Sequence, residues 1–128
     1  RRQRQMCIRD RECRDLEAEP WPYAEEAFDA IIVTNYLYRA HFPHYWRSLK
    51  PGGLFLMETF TTVNTAIWGR PRSPEHVLQP GELLRLAPPE ARICAYEEGL
   101  NADELGLERI VWLKPGDAEV LALRLGAR

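Results

Sequence analysis

The chain has 128 residues, 45% of them hydrophobic and 28% charged, the composition of one soluble globular domain. No apolar run reaches the roughly 18 residues that would span a bilayer, and no apolar stretch follows the basic N-terminus to make a signal peptide. The formal charge of −2 is unevenly spread: residues 1–11 hold five arginines and one acid, so the acidic excess lies in the remainder.

A basic arm on an acidic body is one reading of that start. A second rests on Met6-Cys7-Ile8-Arg9-Asp10-Arg11, which resembles the translation of a transposon-end adapter used to build sequencing libraries. On that reading residues 1–11 are foreign, and residues 12–128 are the C-terminal portion of one domain whose upstream part is missing. Neither a nucleic-acid partner nor a membrane is then expected. Cys7, Cys13 and Cys94 have no CxxC spacing, which argues against a disulfide framework or a zinc site and suits a reducing cytoplasm. No metal is expected.

In chain order, Phe28-Asp29-Ala30-Ile31-Ile32-Val33 is a β-branched apolar run, the pattern of a parallel strand covered on both faces. Phe42 to Leu49 reads as a short helix. Lys50-Pro51-Gly52-Gly53 stops it, with a glycine as left-handed cap. Leu54 begins a second strand that runs to about Phe60. Thr61 to Gln79 is expected to be a long irregular segment, of the kind that often carries function. Pro80 to Leu86 reads as a helix with Pro at its first position, closed by Pro88-Pro89. Two further strands are expected at Arg92–Tyr96 and about Leu107–Leu113, and a weaker strand or tail at Val120–Leu125.

Asp15-Leu16-Glu17, Trp21-Pro22-Tyr23, the Phe28-Asp29 strand and Leu49-Lys50-Pro51-Gly52-Gly53 together resemble class I S-adenosylmethionine-dependent methyltransferases. Glu58-Thr59-Phe60, Gly69-Arg70-Pro71-Arg72-Ser73-Pro74 and Gln79-Pro80-Gly81-Glu82-Leu83 narrow the likeness to bacterial members related to the tellurite-resistance group. The resemblance covers about Arg14 to Leu100. It implies an α/β, Rossmann-like fold with strands in the order three, two, one, four, five, seven, six, the seventh antiparallel. The chain would supply an incomplete version, strands four to seven. The family's Gly-rich turn and ribose-binding acid have no counterpart in the sequence, so at best half a cofactor pocket is expected. The strand at Phe28 would then be an unpaired apolar edge prone to aggregation.

The resemblance implies S-adenosyl-L-methionine as cofactor and a small molecule as methyl acceptor. Asp15 and Leu16 would hold the adenine, whose amine needs an acceptor such as a carboxylate. Thr34, Asn35 and Tyr36, beyond the carboxyl end of a strand, would flank the methionine part. Tyr38, Glu58, Thr59, Arg70 and Arg72 are candidate acceptor contacts, and His41 and Glu58 candidate catalytic groups. Plainer roles stay open: Asp15 as a solvated acid, Asn35 as a turn residue, the tyrosines and His41 or His44 as packing, the arginines as solvated. Trp21, Trp46, Trp68 and Trp112 are expected at the core or its rim. Another doubly wound enzyme, such as a nicotinamide-dependent oxidoreductase, and a non-catalytic interaction module are the competing functions.

Overall fold

The computed structural model describes residues 10–116; the expected element at 120–125 lies outside them. The chain runs β1 (Phe28–Thr34), a 3-10 turn (Arg39–His41), α1 (Phe42–Ser48), β2 (Leu49–Phe60) and α2 (Thr62–Trp68). A second 3-10 turn (Pro74–His76), α3 (Glu82–Leu86), β3 (Arg92–Leu100) and β4 (Gly106–Leu113) follow. The strands make one sheet in the order β1-β2-β4-β3. β1 and β2 are parallel, and β4 is antiparallel to both of its neighbours. That is the expected fourth, fifth, seventh, sixth order with the seventh strand reversed.

Period-two burial sets the core. On β2, Phe55, Met57 and Thr59 point inward and are buried, while Leu54, Leu56 and Glu58 face the other way. Phe55 stacks on its cross-strand partner Trp112 at 4.5 Å. Phe42 and Tyr45 of α1 and Leu83 of α3 close over them. The opposite face keeps Ile32 and Leu54 exposed. The expectation that β1 is covered on both faces therefore fails. Ile31 and Val33 pack on the core, but Ala30, Ile32 and Thr34 are exposed, Ile32 at 69%. Among the described residues β1 pairs with β2 alone, at the edge of the sheet.

Lys50-Pro51-Gly52-Gly53 has a different job from the one expected. α1 ends where Leu49 turns extended, and β2 starts at once. Phe28 pairs with Leu49 and Ala30 with Leu54, so β2 advances five residues while β1 advances two. The glycines belong to this bulge rather than to a helix cap. Gly52 has φ +85°, and a Cβ at Gly53 would lie 2.8 Å from the Lys50 carbonyl and 2.9 Å from that of Asp29. The carbonyl oxygens of Trp46 and Leu49 at the helix end accept from Lys114 Nζ, each at 2.8 Å.

The segment expected to be irregular contains α2, a helix built of poor helix formers, Thr-Val-Asn-Thr-Ala-Ile-Trp. Its support is external. Thr61 Oγ1 accepts from the Val63 amide, and Gly69 at φ +78° ends the helix. Buried Asn64 accepts from the Gly106 amide at 2.9 Å and donates to the Arg70 carbonyl at 2.8 Å. α3 starts two residues later than expected, because Gly81 at φ +75° keeps Pro80 in a turn. β3 runs four residues beyond Tyr96, paired with β4 to its end.

Candidate functional site

β1 and β2 end side by side, and a crevice opens beyond their carboxyl ends, where ligands bind in open α/β sheets. Its cavity of about 310 Å³ is walled by Asn35, Tyr36 and Leu37 after β1, and by Thr59 and Phe60 of β2. Glu17, Pro71 and His76 complete it. Asn35 has φ +53°, a left-handed backbone uncommon for a residue other than glycine, held by its amide donating to the Glu58 carbonyl at 2.9 Å. The Tyr36 hydroxyl donates to Glu17 Oε2 at 2.8 Å. Burial, then that carboxylate, pushes the Tyr36 phenol well above its ordinary value, so it remains a donor.

Tyr36 also borders a second groove of about 460 Å³ along the free edge of β1, where Leu16, Trp21, Tyr23 and Tyr45 face the strand. Of the adenine candidates, Leu16 lines this groove. Asp15 is exposed beside it, and its Oδ1 accepts from the Glu17 and Ala18 amides, closing its own turn. Thr34 lines the groove and not the crevice.

The remaining candidates scatter. His41 is 3% exposed, and neither ring nitrogen has a hydrogen-bond partner among the described residues. It sits among Trp21, Tyr36, Tyr38 and Tyr45, and burial followed by the His44 charge lowers its pKa, so it is neutral at pH 7. Tyr38 packs on His41 with ring centroids 4.5 Å apart. Glu58 lies on the uncovered face of the sheet, where Arg109 bridges it to Glu97, each contact 2.9 Å. Arg70 lines a third cavity of about 610 Å³ that shares Phe60 and Pro71 with the crevice. Arg72 is exposed.

Sequence reading missed what joins the walls. Arg39 lies just after the β1 wall, and its guanidinium grips Glu82 through both carboxylate oxygens, at 2.5 and 3.0 Å. It also donates to the Val77 carbonyl at 2.8 Å. The Glu82 carboxyl is lowered chiefly by that hydrogen bond, and its Oε1 accepts from the Gln79 amide. One side chain thus ties the wall after β1 to the segment carrying Pro71 and His76. Glu17 stood in the Asp-Leu-Glu motif and was passed over; Arg39 had no local signal, since its partner is 43 residues away.

No protein-family model matches the sequence, and no curated protein matches it. Among solved structures, the [4+2]-cyclase SpnF aligns with a TM-score of 0.61 at 17% identity, covering 89% of this chain and 59% of that one. A structure concerned with conversion of a disulfide bond into a thioacetal group during echinomycin biosynthesis gives 0.55 at 16%, covering 73% and 52%. The PH0226 protein from Pyrococcus horikoshii OT3 gives 0.54 at 17%, covering 72% and 54%. At such identities the likeness is one of fold alone. The chain shares the α/β fold of these proteins and spans a little over half the length of each.

Proposed function

We propose that the chain is the carboxyl-terminal portion of a methyltransferase that uses S-adenosyl-L-methionine and a small-molecule acceptor. The observation that carries this is the crevice beyond the carboxyl ends of the parallel β1–β2 pair, with Asn35, Tyr36 and Thr59 around it. The strand order supports it over a nicotinamide-dependent oxidoreductase, whose sheet is wholly parallel in the usual order, whereas β4 here is antiparallel between β2 and β3.

The residues present fit one side of the cofactor. The groove of Leu16, Trp21, Tyr23 and Tyr36 is apolar and aromatic, suited to a flat base. Beside it, Asp15 Oδ1 is occupied by backbone amides, and Asp15 Oδ2 is left to accept from an exocyclic amine. Asn35 and Tyr36 would take the amino-acid end. When bound, S-adenosylmethionine would supply a sulfonium methyl whose carbon an acceptor lone pair attacks in line, the methyl–sulfur bond breaking to leave a neutral thioether and the acceptor giving up a proton. The chain's own part is to hold the acceptor in line. The Glu17 carboxylate and the His76 imidazole are the proton-accepting side chains lining the crevice.

The test is transfer of labelled methyl from S-adenosylmethionine to a panel of small-molecule acceptors by the gene product containing this chain. Label should appear in an acceptor and fall about tenfold or more in Tyr36→Phe or Thr59→Val, a loss of one oriented contact. Label insensitive to both changes contradicts the placement. Turnover of a nicotinamide cofactor without methyl transfer contradicts the reaction.

A further inference from the structure

The cavity that holds Arg70 is built, although nothing in the crevice requires it. Its apolar wall is Phe60, Trp68, Pro71 and Leu105. Trp68 is about half exposed at the end of α2, yet fixed, because its indole Nε1 donates to the Glu104 carbonyl at 2.9 Å. The backbone under Arg70 is fixed as well. Asn64 Nδ2 donates to the Arg70 carbonyl at 2.8 Å and Thr65 Oγ1 to that of Pro71 at 2.6 Å. Asn64 is itself buried and anchored on Gly106. The Arg70 guanidinium, by contrast, has no hydrogen-bond or ion-pair partner among the described residues. An unpaired cation on a doubly held backbone, beside an exposed but fixed indole, is arranged for something outside the chain.

We propose that this cavity recognises the methyl acceptor, and that the acceptor is a planar aromatic ring carrying a carboxylate. The inference rests on the methyl-transfer reading of the adjoining crevice, with which the cavity shares Phe60 and Pro71. A ring against Trp68 and Phe60 gains apolar burial with a flat partner. A carboxylate matches the fork of one guanidinium. A phosphate dianion is disfavoured, because Asp103 stands on the same rim. The volume of about 610 Å³ lies within the range of small-molecule sites. Through the shared Phe60 and Pro71 the cavity adjoins the crevice that Thr59 and Asn35 line.

Three probes separate the elements of the proposal: 2-naphthoate, 2-naphthamide with the ring but no charge, and hexanoate with the charge but no ring. Dissociation constants are measured on the full chain by ligand-observed NMR, with S-adenosylmethionine titrated in parallel. 2-Naphthoate should bind roughly tenfold tighter than either comparison, the worth of one charge-assisted contact or one buried ring. Arg70→Gln should bring 2-naphthoate and 2-naphthamide within about twofold of each other, and Trp68→Leu should weaken both, with near-ultraviolet circular dichroism reporting retained packing. Equal binding of the acid and the amide by the unaltered chain, or a preference that survives Arg70→Gln, overturns the proposal. Selective 2-naphthoate binding, with no methyl transfer from S-adenosylmethionine by the gene product containing this chain, leaves the anion pocket standing and removes the methyl-transfer reading beneath it.

Discussion

Arg39 and Glu108 carry the clearest consequences of single side chains. Arg39→Ala leaves the Glu82 carboxylate and the Val77 carbonyl without their donors. The pair is only partly buried, with side-chain exposures of 35% and 13%. The loss is therefore set at about 1–3 kcal/mol of unfolding free energy, below that of a fully buried pair. Urea denaturation measures it, and Arg39→Lys should recover little, lacking the fork that spans both carboxylate oxygens. Glu108 is fully buried, with Oε1 accepting from the Leu83 amide and Oε2 without a hydrogen-bond partner among the described residues. Burial raises its carboxyl above the ordinary value; the Leu83 amide and Tyr96 hydroxyl oppose this, and Glu98 and Glu82 reinforce it. The folded chain thus holds this proton more tightly than the unfolded one. The contribution favours folding at low pH and is lost as pH rises from the ordinary carboxylate value through the raised folded one. Glu108→Gln should lose less stability than the unaltered chain as pH rises above the ordinary carboxylate value. Equal losses in urea titrations would remove Glu108 as the cause. At this scale the sequence was partly legible. That Asn35, Tyr36 and Thr59 border the crevice follows from their place at strand ends, whereas the positions of Arg39 and Phe60 between its walls depend on contacts that no local pattern encodes.

Elements were legible where local preference and tertiary need agree. β1 and β4 are β-branched and apolar, and their bounds were read within a residue or so. α2 was not legible, because Thr61, Asn64 and Gly69 stabilise it against the preferences of its own residues. The end of β3 was missed because Glu97-Glu98-Gly99 carries no strand signal, although the β4 ladder holds it. The Lys50–Gly53 bulge was mistaken for a helix stop, since Pro-Gly-Gly suits either. That correction is testable. Gly53→Ala brings a methyl against two backbone carbonyls and the Leu49 side chain and should cost about 1–3 kcal/mol. Gly52→Ala meets no atom within 4 Å but must hold φ +85°, and should cost about 1 kcal/mol. Thermal melts rank the two, and a Gly52 penalty above that of Gly53 would favour the simple cap.

At the level of the whole molecule, the sheet has one face closed and one partly open. β1, a central strand by composition, lies at the edge with Ile32 exposed. Such an edge templates pairing between copies, and a lysine on it is a natural deterrent. Light scattering should rise with the concentration of the unaltered chain and fall in Ile32→Lys, while the unfolding midpoint stays within a degree or two. Scattering unchanged by the substitution would acquit the β1 edge. The central claim is that the carboxyl ends of β1 and β2 form one side of an S-adenosylmethionine site. It is tested most directly by titrating the cofactor to millimolar concentration into the isotopically labelled chain and following each backbone amide by NMR. Saturable shifts should concentrate at Leu16, Thr34, Asn35 and Tyr36, with β3 unmoved. Shifts that are absent at millimolar cofactor, or that gather away from those residues, contradict the claim.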